Sequence, residues 1–246
     1  MKIISVVYFL RGFYLTLLVF WIIAGVLLAG LGYIDSFLWL NSFYADWSDW
    51  ALPPLTHFAD GVILSGLLII GFIRRNPVLL AVGFASLAIA GGVVFTLKNF
   101  IFYDWRRPLE VLGSAKNFHC LLPIRFHSFP SGHATTIMSA LPIIAFFFRY
   151  RSMWLQILVA LLGILIVYTR VYIGVHFLGD ILAGSVIGAG IGTLTLIFLR
   201  EPIERKMISL NLEGKYAVRR AILYLGYILL FIGLLRVNGF WGVEGY

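Results

Sequence analysis

Phe129-Pro130-Ser131-Gly132-His133-Ala134 opens an apolar run that carries no charge through Phe148, and the reading of this junction decides the fold. Proline suits a helix start, where no backbone donor is needed, and a serine hydroxyl can cap the free N–H groups of the first turn. Gly132 lets another group come close to the backbone. A helix N-terminus with unpaired N–H groups attracts anions, phosphate above all, and His133 stands at its rim. The bland alternative is a capped helix and nothing more. Two further polar clusters, each beside an apolar segment, weigh against it: Lys98 to Arg107-Pro108 upstream, and Arg170, His176 and Asp180 downstream.

The chain of 246 residues is 61% hydrophobic and 12% charged, with a mean hydropathy of +0.96. That composition is outside the soluble range and defines an integral membrane protein. A single cysteine, Cys120, excludes an intramolecular disulfide and a cysteine-rich metal site, and reads as a small buried hydrophobe. The formal charge of +8 is scattered through short loops between apolar runs, so the partner it suggests is anionic lipid, not nucleic acid.

Working outward, the first long apolar run is Phe13 to Ile34, 22 uncharged residues, read as a retained membrane helix and not a cleaved signal. Asp35 to Asp60 then holds four aspartates and no Lys or Arg, which places it outside under the positive-inside rule. Trp39, Trp47 and Trp50, with Pro53-Pro54, read as an interfacial belt and a re-entry turn. The second span ends at Ile73 before Arg74-Arg75, the third is Pro77 to Leu97, the fourth Ala134 to Phe148 and the fifth Ser152 to Thr169. The sixth is Ile181 to Leu199. Alternation puts all three polar clusters at one, outer, face. The loop Lys98 to Pro130 carries five basic residues (Lys98, Arg106, Arg107, Lys116, Arg125) against Asp104 and Glu110, and an anionic substrate would explain that external excess. After the mixed-charge stretch Arg200 to Arg220, Ala221 to Leu235 is a short seventh span or an interfacial helix. The expectation is an all-α polytopic bundle forming one membrane domain over 1–246, with a core of about 60–199 and a cytoplasmic stretch plus a short apolar helix over 200–246.

If the sixth helix starts near His176, positions 176 and 180 share a face one turn apart, and the Asp180 carboxylate can fix the imidazole tautomer. The other ring nitrogen is then presented as base or nucleophile. A surface-facing imidazole of this kind would contribute little packing. Arg170 can offer its planar fork to a phosphoryl oxygen. A structural ion-pair cluster is the bland reading, but ionisable groups bordering a span are more often functional. His119 and His127 read as loop residues. His57 and Asp60 read as a membrane-surface pair without a catalytic part.

These residues resemble the type 2 phosphatidic acid phosphatases, relatives of acid phosphatases and vanadium haloperoxidases. The family pattern is a Lys followed by Arg-Pro, then Pro-Ser-Gly-His, then an Arg with His six later and Asp four beyond. Lys98 with Arg107-Pro108, Pro130 to His133, and Arg170, His176 and Asp180 match it over about Asp60 to Leu199. Eight residues separate Lys98 from Arg107 where six are usual, which leaves Arg106 or Arg107 as the ligand, Arg107 being favoured by Pro108. Thr169 stands where Ser commonly precedes the arginine. The resemblance implies a six-helix core and His176 as the nucleophile that forms a phosphohistidine. It makes Asp180 the orienting partner, and His133 the general acid. Lys98, Arg107, Ser131, Gly132 and Arg170 would hold the phosphoryl oxygens, with no cofactor and no metal. The reading is a lipid phosphate or diphosphate phosphatase acting at the outer leaflet of the cell membrane. The alternatives are a lipid phosphotransferase using the same histidine, and a transporter, against which the clusters lie at span ends and not at mid-membrane.

Overall fold

A computed structural model describes residues 3–113, 118–209 and 216–241. Lys116 and, within the C-terminal stretch, residues 210–215 and 242–246 lie outside the described residues. The elements are α1 (Ile3–Phe9), α2 (Arg11–Asn41), α3 (Asp46–Ala51), a 3-10 helix (Pro53–Ala59) and α4 (Gly61–Phe72). Next come α5 (Pro77–Thr96) with a π-helical turn (Leu97–Ile101), α6 (Pro108–Leu112), α7 (Gly132–Phe147), α8 (Met153–Tyr172), α9 (Leu178–Ser209) and α10 (Tyr216–Trp241). No strand occurs among the described residues, and the chain is an all-α polytopic membrane bundle.

Among the described residues, five helices are long and apolar enough to cross a bilayer. The second span is a broken one: the segment Asp46–Ala59 meets α4 at 73°, where the Pro-Pro pair and the Asp60 cap interrupt the ladder. The seventh helix extends beyond the run at 221–235, with a spanning window of Val218–Leu235, and packs on α4 where a Cβ at Gly226 would lie 2.6 Å from Ile69. It is long enough to span. The mixed-charge stretch is shorter than the composition suggests, because α9 continues through it to Ser209.

Helix starts fall on the side chains that flag them. Asp60 caps α4 through Val62 and Ile63 N–H, Asn76 caps α5, Ser131 caps α7 and Ser152 caps α8. Asp60 thus caps its own helix and also stands within electrostatic reach of His57. With 16 residues, α7 is only about 24 Å long, and it forms the bundle's centre against α5, α8 and α9. Gly184, Gly188 and Gly192 of α9 lie on its backbone: a Cβ at Gly188 would stand 2.4 Å from Thr135 O, and one at Gly192 2.3 Å from Ser139 O. Small residues at this spacing let two membrane helices touch backbone to backbone. The N-termini of α7 and α9 are thereby held side by side.

Candidate active site

Ser131 N–H donates to Asp180 O over 3.0 Å, so the second polar cluster is hydrogen-bonded directly to the third. Asp180 lies in the first turn of α9 and is fully buried. His176 precedes that helix, which begins at Leu178, yet the four-residue spacing still brings its Nδ1 to 3.2 Å from Asp180 Oδ2. The carboxylate also accepts from Ser128 Oγ at 2.5 Å, from Phe177 N–H at 3.0 Å and from the Tyr33 hydroxyl. His176 is only 1% exposed, which corrects the expectation of a surface-facing ring. Tyr33 and Phe37 of α2 pack on Phe177, and Ser128 lies 3.5 Å from the ring itself.

The chain reaches His176 from α8 through a Schellman turn. Gly174 N–H donates to Val171 O and Val175 N–H to Arg170 O, with Gly174 at φ +79°, a conformation glycine adopts without a Cβ penalty. A Cβ there would also meet His119 O at 2.5 Å. This turn sets Arg170 beneath the histidine.

Arg170 is 4% exposed, and its NH1 donates to Thr56 Oγ1 at 2.7 Å. Its Nε is buried without an acceptor. Arg107 is 9% exposed and bonds the carbonyls of Phe126 (2.7 Å) and Val175 (3.2 Å). Arg106, in contrast, is exposed and pairs with Asp104 and Glu110, while Arg125 pairs with Glu110 as well. Of the two neighbouring arginines, Arg107 is therefore the one buried beside Val175 and His176. Two of the loop's five basic residues, Arg106 and Arg125, are thus taken up in surface ion pairs with its two acidic ones. Lys98, in the π-helical turn, donates to His127 O at 2.5 Å.

His133 is half-buried in the first turn of α7, within electrostatic reach of Arg170, His176, His57 and Arg107. A Cβ at Gly132 would meet only Val94 at 3.5 Å, so packing within the chain does not demand this glycine. The Ser131 hydroxyl accepts from Ala134 N–H at 3.4 Å and is buried, and the Thr169 hydroxyl turns away to Ile166 O. All eight residues singled out in the sequence lie at one end of the bundle. Tyr33, Thr56 and Ser128 were not among them, since a lone hydroxyl far away in sequence gives no signal of its own. Cys120 is half-buried, with burial raising its thiol pKa.

Burial and the neighbouring cations act on His176 in one direction. Burial first, then the charges of Arg107, Arg170 and Lys98, hold the imidazole well below its ordinary range, so it is neutral at neutral pH. Burial pulls the Arg107 guanidinium down to about 10, still charged. A neutral imidazole beside three cationic side chains suits an anionic reactant.

Fold and site together define a polytopic helical membrane protein with a buried His–Asp pair set among Lys98, Arg107 and Arg170. The chain belongs to the PAP2 superfamily, whose model matches residues 78–203. Over 111 residues it is 31% identical to the lipid A 4'-phosphatase of Bacteroides thetaiotaomicron, covering 45% of this chain and 47% of that protein. Over 88 residues it is 33% identical to phosphatidylglycerophosphatase B of Bacillus subtilis, covering 32% and 40%. These matches span less than half the length of either relative. The crystal structure of Aquifex aeolicus LpxE superposes with a TM-score of 0.60 at 25% identity, covering 68% of this chain and 95% of that one.

Proposed function

We propose that this protein is a membrane phosphatase that removes phosphate from a lipid phosphate or lipid diphosphate through a phosphohistidine on His176. The observation that carries the reading is the buried Arg170 Nε without an acceptor, beside Arg107 and Lys98 around a neutral His176. A buried cationic donor left unpaired is costly, and phosphoryl oxygens would satisfy it. The relatives named for lipid A and phosphatidylglycerophosphate support a lipid substrate.

In this mechanism Asp180 holds a proton on His176 Nδ1, and the Nε2 lone pair attacks phosphorus. The bond from phosphorus to the lipid oxygen breaks as His133 gives that oxygen a proton. Water then attacks the phosphorus–nitrogen bond, returns a proton to His133 and releases inorganic phosphate. Lys98, Arg107 and Arg170 stabilise the charge on the transferring oxygens throughout, which is most of what phosphoryl transfer asks of a protein. The Gly132 and His133 N–H groups at the α7 terminus face the same anion. The site's end of the bundle carries the arginine-free, aspartate-rich segment 35–60, and Arg74, Arg75, Arg149 and Arg151 mark the other end, which supports an outward-facing site.

The test is phosphate release by purified protein from phosphatidate, phosphatidylglycerophosphate, an isoprenyl diphosphate and a lipid A type glycolipid. His176→Ala serves as the blank, and the assay is run with and without EDTA. Turnover of at least one lipid, lost in the variant and unchanged by the chelator, is expected. No release from any of them would overturn the reading.

A further inference from the structure

Away from the site, α4, α7 and α8 leave between them an apolar cleft of about 530 Å³, within the volume range of small-ligand pockets. Leu67 and Gly71 form one wall, Leu141 and Ile144 the floor, and Leu162 and Ile166 the other wall. The helices run from the site downward: α4 starts beside the segment holding Thr56, α7 starts at Ser131, and α8 ends at Arg170. The cleft's other end, past Phe72 and Phe147, is therefore on the opposite side of the bundle. Two arginines from different elements, Arg75 and Arg151, complete its lining there. Both are exposed. Arg75, in the turn after α4, reaches the Gly71 carbonyl of that helix at 3.4 Å, and Arg151, in the turn after α7, lies over the Phe147 ring at 5.4 Å. No ion pair engages either among the described residues, and Arg74 and Arg149 add charge in the same two turns.

We infer that this cleft binds one anionic phospholipid of the leaflet opposite the active site, an acyl chain between α4 and α8 and the headgroup phosphate between Arg75 and Arg151. Charge complementarity selects that occupant. An apolar slot alone would take any chain, but two convergent guanidinium groups at its mouth prefer a net negative headgroup. The inference does not depend on the phosphatase reading, because a phosphodiester lipid such as phosphatidylglycerol has no terminal phosphate to release.

Native mass spectrometry of the full chain in neutral detergent, with phosphatidylglycerol and phosphatidylcholine of identical chains in competition, tests it. One phosphatidylglycerol is expected to stay bound under activation that strips phosphatidylcholine. Arg75→Gln with Arg151→Gln should weaken that preference by about thirtyfold, and these exposed positions leave the fold intact. Gly71→Phe should remove retention of both lipids, since a Cβ at Gly71 meets nothing within 4 Å and a larger side chain fills the slot without a clash at its base. Arg170→Gln should bind phosphatidylglycerol as the parent does. Equal retention of the two lipids, parent-like retention in the double arginine variant, or loss of binding in Arg170→Gln would each overturn the inference, the last by placing the lipid in the active site.

Discussion

Two histidine–aspartate pairs stand at the same end of the bundle. His176 meets Asp180 from four residues away in the chain, among Lys98, Arg107 and Arg170. His119 meets Asp49 across 70 residues, Nε2 to Oδ1 at 2.6 Å, stacked on Tyr44 and edged by Tyr172. Around this second pair the polar partners are Ser48 and Asn41: Tyr172 bonds Ser48 and Asp49, and Asn41 bonds the His119 backbone and the carbonyls that end α8. No arginine or lysine bonds to it among the described residues. The same two side chains thus tie a loop to a helix end in one place and, in the proposed mechanism, form a nucleophile and its orienter in the other. Surrounding charge, not the pair, separates them.

Exchange of the two histidines is the largest way to break the comparison. His176→Ala should lower phosphate release by at least about a thousandfold, and because the ring is buried it should also reduce thermal stability. His119→Ala should leave turnover within a few-fold and lower the melting temperature by about 2–4 °C. Comparable activity losses in both, measured on monodisperse protein, would make the pairs equivalent and remove the distinction.

His133→Ala sharpens the roles within the site. General acid help is worth about a hundredfold to ten-thousandfold, and it matters most when the leaving oxygen would depart as a basic alkoxide. The variant should therefore depress hydrolysis of a lipid monophosphate much more than that of a diphosphate or an aryl phosphate. Rates measured across these three substrates decide it, and equal losses would make His133 a binding group.

Arg107→Gln should cost about a hundredfold, the scale of losing one stabilising donor, while Arg106→Gln should change kcat/KM by less than about twofold, since exposed ion pairs contribute little. Reversed effects would reassign the first motif.

How much of this was legible varied with the kind of signal. The spans were legible because apolar length is a local property, and the motif residues because their order and spacing survive in one dimension. The re-entry was legible from Pro53-Pro54, whereas the cap at Asp60 was not, because an aspartate three residues from a histidine reads equally well as a pair. The burial of His176 was not: it comes from α2 laying Tyr33 and Phe37 over Phe177 and from the loop that brings Ser128 across, and neither packing has a period. Tyr33 and Thr56 lie before the stretch that matches the family model, and each is one hydroxyl among many. The carbonyls of Phe126 and His127, which hold Arg107 and Lys98, carry no side-chain signature at all.

The smallest effect is on pH dependence. His176 must be neutral to attack, and its pKa is held below the ordinary value of about 6.5. The plateau of log kcat/KM should therefore extend down through pH 6.5, with the acid limb falling below it. Arg107→Gln removes the largest charge acting on the ring, so the limb should move up in pH on the same substrate. Stability has the same sign: the unfolded imidazole takes a proton below about 6.5 while the folded one does not, so stability is present above that pH and lost as pH falls. A limb unmoved by Arg107→Gln would separate the arginine from the histidine's field.

The stereochemistry of transfer at phosphorus tests the covalent role of His176 most directly. A phosphomonoester made chiral with oxygen isotopes and sulfur, hydrolysed in isotopic water, yields inorganic thiophosphate whose configuration can be read. Attack by His176 followed by attack of water gives two inversions, and the account predicts net retention; net inversion would show that water attacks the substrate directly and would contradict it.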